Sequence, residues 1–262
     1  MDLIHVIILS VVEGITEFLP ISSTFHIDLI GSMMGILNSN FFTSFTIAIQ
    51  LGAILAIIVL LRKQLFQSPK VIFQLGIAFI PVGVVGLVIY PLVKQVLLGN
   101  QLIEIIAVLT GGIVMVYFAK QYREQTIVNQ NEVTVQLSFK EICYLSLWQI
   151  LAFIPGMSRS GSVLVGGLVK KIPLNQVVLT SFLLAIPTMI TATAYDLWKT
   201  GSNFTHNEWI FLILGIILSG FVAFFMAKWL LRFLQRPNAL QWFGWYRVIL
   251  AMFLGILFLI KM

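Results

Sequence analysis

Six stretches of roughly 20 nearly unbroken apolar residues dominate this 262-residue chain, and each is long enough to cross a bilayer as a helix. They run Phe42–Leu61, Val71–Val93, Leu102–Ala119, Leu174–Trp198, Trp209–Leu231 and Trp242–Ile260. Two further apolar stretches, Leu3–Leu37 and Ile142–Val169, are broken midway by proline and by clusters of serine and glycine. Each is too long for one crossing and too interrupted for two. Charge is scarce: 10% of residues are charged and 59% hydrophobic, where a soluble domain carries roughly 25% and 45–50%. Such a chain cannot cover a globule with polar surface. A soluble enzyme, a disordered chain and a nucleic-acid partner are thereby excluded, despite the net charge of +6. The single cysteine, Cys143, leaves no intramolecular disulfide and no cysteine-based zinc site. The opening MDLIHVIILS lacks the basic segment of a cleaved signal peptide, so it is expected to be retained.

Lysine and arginine indicate sidedness, because they concentrate in cytoplasmic loops. Arg62, Lys63 and Lys70 follow the first span, Lys120, Arg123 and Lys140 the third, and Lys228, Arg232 and Arg236 the fifth. The opposite connections hold Lys94, Lys199 and Lys261. This alternation persists only if Ile142–Val169 enters the membrane and returns to the side it left, which also puts Lys170 and Lys171 with the cytoplasmic group. By the same logic Leu3–Leu37 dips in from outside and both termini are external. The expected fold is an all-α polytopic membrane protein of six transmembrane helices and two opposed re-entrant helical hairpins. Eight full crossings is the alternative.

The two broken stretches resemble each other. Phe18-Leu19-Pro20-Ile21-Ser22-Ser23-Thr24 aligns with Phe153-Ile154-Pro155-Gly156-Met157-Ser158-Arg159, and Thr43–Ile49 aligns with Thr180–Ile186 at an offset two residues larger. This predicts a duplicated single membrane domain over 1–262, with halves of about 1–120 and 142–262 joined by a cytoplasmic loop of about 120–141. Three crossings per half make the halves antiparallel, the inverted-repeat plan in which broken helices meet at a midplane site. Irregular backbone at membrane depth is tolerated only where it lines an enclosed cavity. The tips, Ser22–His26 and Ser158–Ser162, are therefore the expected place of chemistry.

Glu13 and Glu17 lie one helical turn apart, and two apolar-embedded carboxylates cannot both stay ionised without a cation, an arginine or a shared proton. Intramembrane acids are costly and default to function. Ser22, Ser23, Thr24 and His26 crowd three hydroxyls and an imidazole into about one turn, and imidazole suits proton transfer or nucleophilic attack near neutral pH. Arg159 lies far from any flanking lysine, and its planar fork suits bidentate phosphate binding. Gly156 and Gly161 would allow close backbone approach, so that free N–H groups join an anion site with Ser158 and Ser160. Gln50, Gln149 and Thr180 either line the cavity or bridge helices. Arg247, beside Trp245 and Tyr246, reads as structural, as do His5 and His206. Glu104 and Asp196 read as solvated span ends.

The run from Glu13 to His26 resembles the first signature of the undecaprenyl-diphosphate phosphatase family, also called bacitracin-resistance proteins, and Pro155–Gly161 resembles its second. Gln50–Ala56, Ser181–Pro187 and Tyr246-Arg247 are similar to further family segments, so the resemblance covers nearly the whole chain. It implies removal of the terminal phosphate of undecaprenyl diphosphate on the outer face of the cytoplasmic membrane. That reaction recycles the lipid carrier of cell-wall synthesis and confers bacitracin resistance. It also implies a divalent cation, Mg2+ or Ca2+, handled by Glu13 and Glu17, and His26 as nucleophile or base with Ser23 as the competing nucleophile. Ser22 and Thr24 would position the phosphates. Arg159, with Ser158 and Ser160, would clamp the diphosphate. The membrane would accept most of the polyprenyl tail, and a homodimer is left open.

The chain departs from the family pattern in three places. Phe25 stands where glycine is usual, and a bulky residue there resists positive φ and is expected to narrow the pocket. Asp28 stands at an ordinarily apolar position and adds a third acid near the site. The run Pro173–Ser181 lacks the usual basic and acidic residues. The alternative functions are a flippase or transporter of a polyprenyl phosphate, since inverted repeats suit alternating access, and a paralogue that binds lipid diphosphate without hydrolysing it.

Overall fold

A computed structural model describes residues 1–37, 40–67, 69–97, 99–122, 135 and 137–261. Arg123 and most of the expected 120–141 loop lie outside the described residues. The chain forms helices α1 (Leu3–Thr16), α2 (Ser23–Met33), α3 (Asn40–Leu60), α4 (Arg62–Gln67), α5 (Pro69–Leu92), α6 (Gln101–Gln121), α7 (Phe139–Trp148), α8 (Arg159–Val169), α9 (Leu174–Thr200), α10 (His206–Phe233) and α11 (Ala239–Lys261). No strand occurs among the described residues.

Six of these helices are long and apolar enough to cross a membrane: Phe41–Leu60, Lys70–Leu92, Gln101–Gln121, Leu174–Thr200, His206–Phe233 and Ala239–Ile260. Each coincides with an expected span, and their ends differ by only a few residues. The four helices of the broken stretches have 14, 11, 10 and 11 residues. At 1.5 Å per residue these are roughly 15–21 Å long, against about 30 Å of hydrocarbon, so none crosses alone. Among the described residues, six helices have the length and composition for a crossing, and these four do not.

Local sequence sets these boundaries. Asp2 accepts from the His5 amide at 3.0 Å while His5 Nδ1 accepts from the Asp2 amide at 3.1 Å, closing a capping box at the start of α1. Ser138 with Glu141 and Thr205 with Glu208 do the same for α7 and α10. His5, expected to be structural, is thus a capping residue.

By order and packing, α1, α2, α3, α5 and α6 have counterparts in α7, α8, α9, α10 and α11, and α4 has none. Helices α2 and α8 both have 11 residues and begin after a serine cap at positive φ, Ser22 at 73° and Ser158 at 70°. Both end on a C-cap at φ −87°, followed by left-handed Gly35 and Lys171. The packing corresponds as well: α3 lies on α10 and α9 on α5, α1 lies on α10 and α7 on α5, and α6 pairs with α11.

In lipid, where apolar side chains gain little from meeting one another, close backbone approach holds helices together. The α3/α10 crossing relies on it. Gly52 lies against Gly220, and a Cβ at Gly52 would run into the Ile216 carbonyl and the Ser219 hydroxyl. Ser219 Oγ also donates to the Ile49 carbonyl at 2.6 Å. Gly52→Val is expected to destabilise the protein by about 2 kcal/mol or more. Its thermal unfolding midpoint in detergent should fall well below that of wild type, and an unchanged midpoint would refute this account of the crossing.

Candidate active site

The site is built where the two helix breaks meet. Glu17 caps the end of α1, and a turn through Leu19, Pro20 and Ile21 leads to Ser22 and α2. In the other half, α7 passes through a 3-10 turn, Gln149–Phe153, to Pro155, Gly156, Met157 and Ser158, and Arg159 opens α8. Positive φ at a non-glycine residue costs about 1–3 kcal/mol, and hydrogen bonds offset this at both caps. Ser22 Oγ accepts from the Phe25 amide at 3.5 Å, and the Ser22 carbonyl is 2.7 Å from His26 Nδ1. Ser158 Oγ accepts from the Gly161 amide at 3.1 Å, and its carbonyl accepts from Ser162 Oγ at 2.8 Å.

Three connections join the tips. Ser160 Oγ donates to the Leu19 carbonyl at 2.9 Å. Arg159 donates to Glu17 Oε1 at 3.1 Å and to the Ser181 carbonyl at 2.9 Å. Arg247, 0% exposed, spreads its guanidinium over five carbonyls. These are Pro20 (3.2 Å) of the first tip, Gly156 (2.9 Å) and Met157 (3.0 Å) of the second, and Ala107 and Val108 (both 3.2 Å) of α6. Arg247 thus has the structural place expected of it, but buried between the two tips and α6 rather than in an interfacial belt.

A cavity of about 290 Å³ opens beside the tips. Glu17, Ser22, Ser23, Thr24, Gly156, Ser158 and Arg159 form its polar end, with Gln50, Gln149 and Thr188 on its flank. Phe79, Val82, Leu87, Ala152, Phe153 and Met189 form an apolar wall. Gln149 is held by Ser146 Oγ at 3.3 Å and Thr188 Oγ1 at 3.3 Å. Thr180 is buried and is not among the lining residues.

At the polar end Ser23 Oγ donates to Glu17 Oε2 at 2.6 Å, and Arg159 holds the other oxygen of the same carboxylate. This chain of hydroxyl, carboxylate and guanidinium spans both halves of the molecule. Glu13, one turn back on α1, is 0% exposed, and neither of its oxygens has a hydrogen-bond partner among the described residues. Two carboxylates against one guanidinium leave a buried negative charge, which is costly unless a cation or proton joins it. No third His, Cys, Asp or Glu completes a metal cage among the described residues. Glu13 and Glu17 thus supply a partial, oxygen-only donor set suited to a hard divalent cation with its remaining positions open.

The other expected site residues face elsewhere. His26 is not in the cavity lining. Its Nδ1 meets the Ser22 carbonyl, which can only accept, so that nitrogen carries the proton, and Nε2 at 2.8 Å accepts from the Tyr246 hydroxyl. The His26 and Tyr246 rings stack with centroids 5.9 Å apart. Ser160 and Gly161 are buried behind the tip, occupied by Leu19 and by the Ser158 cap. Phe25 is helical, is not at positive φ, and packs with Val108 and Ala251 away from the cavity, so it does not narrow the pocket. The reason is its register: it is the third residue of α2, and the positive φ falls on Ser22. Asp28 turns toward Glu104 rather than toward Glu13 and Glu17. Glu104, expected at a solvated span end, is 1% exposed.

A helical membrane protein whose two helix breaks enclose hydroxyls, carboxylates and an arginine at one end of a largely apolar cavity belongs to the class that handles phosphorylated lipids within the bilayer. The particular family follows from comparison with known proteins. Residues 6–253 match the family model described as "Bacitracin resistance protein BacA", and the chain belongs to that family. It is 40% identical to the undecaprenyl-diphosphatase of Aquifex aeolicus over 97% of both chains. It is 39% identical to that of Wolinella succinogenes over 99% of this chain and 98% of the relative. Identity to that of Thermus thermophilus is 36%, covering 97% and 96%.

Proposed function

We propose that this chain hydrolyses undecaprenyl diphosphate to undecaprenyl phosphate and inorganic phosphate. The observation that carries the reading is the Ser23–Glu17–Arg159 chain at the polar end of an otherwise apolar cavity. Simple binding of a lipid phosphate would need the arginine but not a hydroxyl already hydrogen-bonded to a carboxylate. The relatives named undecaprenyl-diphosphatase support the same substrate.

Ser23 Oγ attacks the terminal phosphorus, and Glu17 takes its proton. The bond from phosphorus to the bridging oxygen breaks, Glu17 hands its proton to that oxygen, and undecaprenyl phosphate departs. Water then attacks the phosphoserine phosphorus as Glu17, again a carboxylate, takes its proton; the bond from phosphorus to Ser23 Oγ breaks, Glu17 returns the proton to that oxygen, and inorganic phosphate leaves. Arg159 stabilises the charge that builds on the equatorial oxygens, and Ser22, Thr24 and Ser158 orient them. A divalent cation held by Glu13 and Glu17 would supply Lewis-acid stabilisation of phosphate oxygens. His26 acts from behind, holding the Ser22 carbonyl and with it the strained cap that presents Ser23.

The protein lies in the cytoplasmic membrane with the site open to the outer leaflet and both termini external, as the lysine and arginine distribution supports. The short α1/α2 and α7/α8 pairs are the two re-entrant hairpins of an inverted repeat, supported by their lengths and their matching caps. The test is phosphate release from an isoprenyl diphosphate by purified protein in detergent, with and without EDTA. Release should stop in EDTA and fall by about 10²–10³-fold in Arg159→Ala. No release from a folded, metal-supplied preparation would sink the reading and favour the flippase.

A further inference from the structure

The far end of the cavity carries a second basic group. Tyr90 of α5 and Tyr195 of α9 both line the cavity, and their rings meet edge to face with centroids 5.0 Å apart. The Lys199 ammonium lies over both, 4.8 Å from the Tyr90 centroid and 4.7 Å from that of Tyr195. Lys199 is exposed and one helical turn beyond Tyr195, on the side of the membrane that the distribution of basic residues otherwise leaves nearly empty. Among the described residues lining the cavity, Arg159 is the one basic side chain, and its guanidinium is already engaged by Glu17.

An anion approaching this site therefore meets an arginine already paired with Glu17 at the inner end and the exposed Lys199 ammonium at the outer end. A phosphate group at the membrane interface carries one or more full negative charges and must move inward along low-dielectric walls. A cation at the entrance of such a cleft focuses the field and raises the local concentration of anions. Cation–π contact with two tyrosine faces holds the amine in place without satisfying its N–H donors. Those donors are the groups a phosphate oxygen would use.

We propose that Lys199, framed by Tyr90 and Tyr195, is an outer docking site for phosphate oxyanions entering or leaving the cavity. This rests on the hydrolase reading for its substrate, and it adds a site that the signature motifs do not contain. The ligand is either the diphosphate head of the arriving lipid or the inorganic phosphate that departs.

The experiment is a charge series, Lys199→Arg, Lys199→Gln and Lys199→Glu, in full-length protein in detergent. Turnover of farnesyl diphosphate and product inhibition by inorganic phosphate are measured at low and moderate salt. If the lipid head docks here, KM rises about five- to tenfold in Lys199→Gln, more in Lys199→Glu and little in Lys199→Arg. The salt dependence of KM should weaken in the same order. If the free product docks here, the inhibition constant for phosphate follows that order while KM does not. A lysine that merely packs on two rings would give effects that ignore charge. Equal KM, equal phosphate inhibition and equal salt dependence across the series would overturn the proposal. Equilibrium binding of farnesyl diphosphate in EDTA, measured on the same variants, separates the two readings. A wild type that binds but never hydrolyses refutes the hydrolase alone, and the charge order of affinities still decides the docking site.

Discussion

Arg247→Ala is expected to abolish phosphate release and to lower the stability of the protein by about 3 kcal/mol or more. The wild-type guanidinium satisfies five carbonyls from three places: the first tip, the second tip and α6. Each buried acceptor left without a donor costs about 1–3 kcal/mol, and the losses do not add because the freed backbone relaxes. That relaxation is itself damaging. Pro20 lies two residues before the Ser22 cap and Met157 immediately precedes the Ser158 cap, so movement at either carbonyl displaces Ser23 or Arg159. Lysine is not a substitute, because one ammonium with three donors cannot reach five acceptors spread around a planar fork. Arg247→Lys should therefore retain only part of the stability and little of the rate. Thermal unfolding in detergent and phosphate release, measured on both variants, check this. A wild-type melting curve for Arg247→Ala would mean that Ser160 and Arg159 suffice to join the tips.

The six spans were legible because their signal is composition over about 20 residues, which no local detail can hide. The helix breaks were legible as well, because proline and serine interrupt apolar runs where a helix must stop. What the sequence expressed poorly was register and facing. Aligning Pro20 with Pro155 pairs Ser22 with Met157, whereas the structure pairs Ser22 with Ser158, since both are caps at φ near 70°. The second tip contains one extra residue, and Gly156 at φ 94° absorbs it. Phe25 was expected to be strained because glycine is usual at that position, yet it is an ordinary helical residue packed against α6 and α11. Ser160 and Gly161 share the second signature with Arg159, but successive helical residues are about 100° apart and cannot all face one cavity. Arg247 carried the same signal as Arg159, an arginine far from any interface in an apolar window. Its aromatic neighbours suggested an interfacial belt instead. Only tertiary structure reveals that its partners are carbonyls 90 to 227 positions away. The burial of Glu104 was hidden in the same manner, because its place near a span end says nothing about what covers it.

Ser23→Ala should reduce phosphate release by about 10³-fold or more while leaving the fold intact, since it removes one oxygen atom and leaves the Ser22 cap in place. Ser23 is 8% exposed, lines the cavity, and already donates to Glu17 at 2.6 Å, which is the geometry of a nucleophile beside its base. Glu17→Gln should cost a comparable factor, because the amide cannot take the proton and no longer pairs as a charge with Arg159. The two losses should be strongly non-additive in the double variant, as for groups that act as one unit. His26→Ala is expected to slow the enzyme through the Ser22 carbonyl, whose strained cap loses its ring N–H donor at 2.7 Å. The discriminating measurement is rapid-quench trapping with substrate labelled on the terminal phosphate. An acid-stable label that maps to the peptide containing Ser23, and is lost in Ser23→Ala, is the expected result. An acid-labile phosphohistidine that persists in Ser23→Ala would transfer the nucleophile to His26. For that to occur, the imidazole must break from Tyr246, because Nε2 is the only ring nitrogen with a free lone pair and the tyrosine hydroxyl occupies it at 2.8 Å. Tyr246→Phe would then accelerate attack by His26, whereas with Ser23 as nucleophile the same change gives no gain in rate.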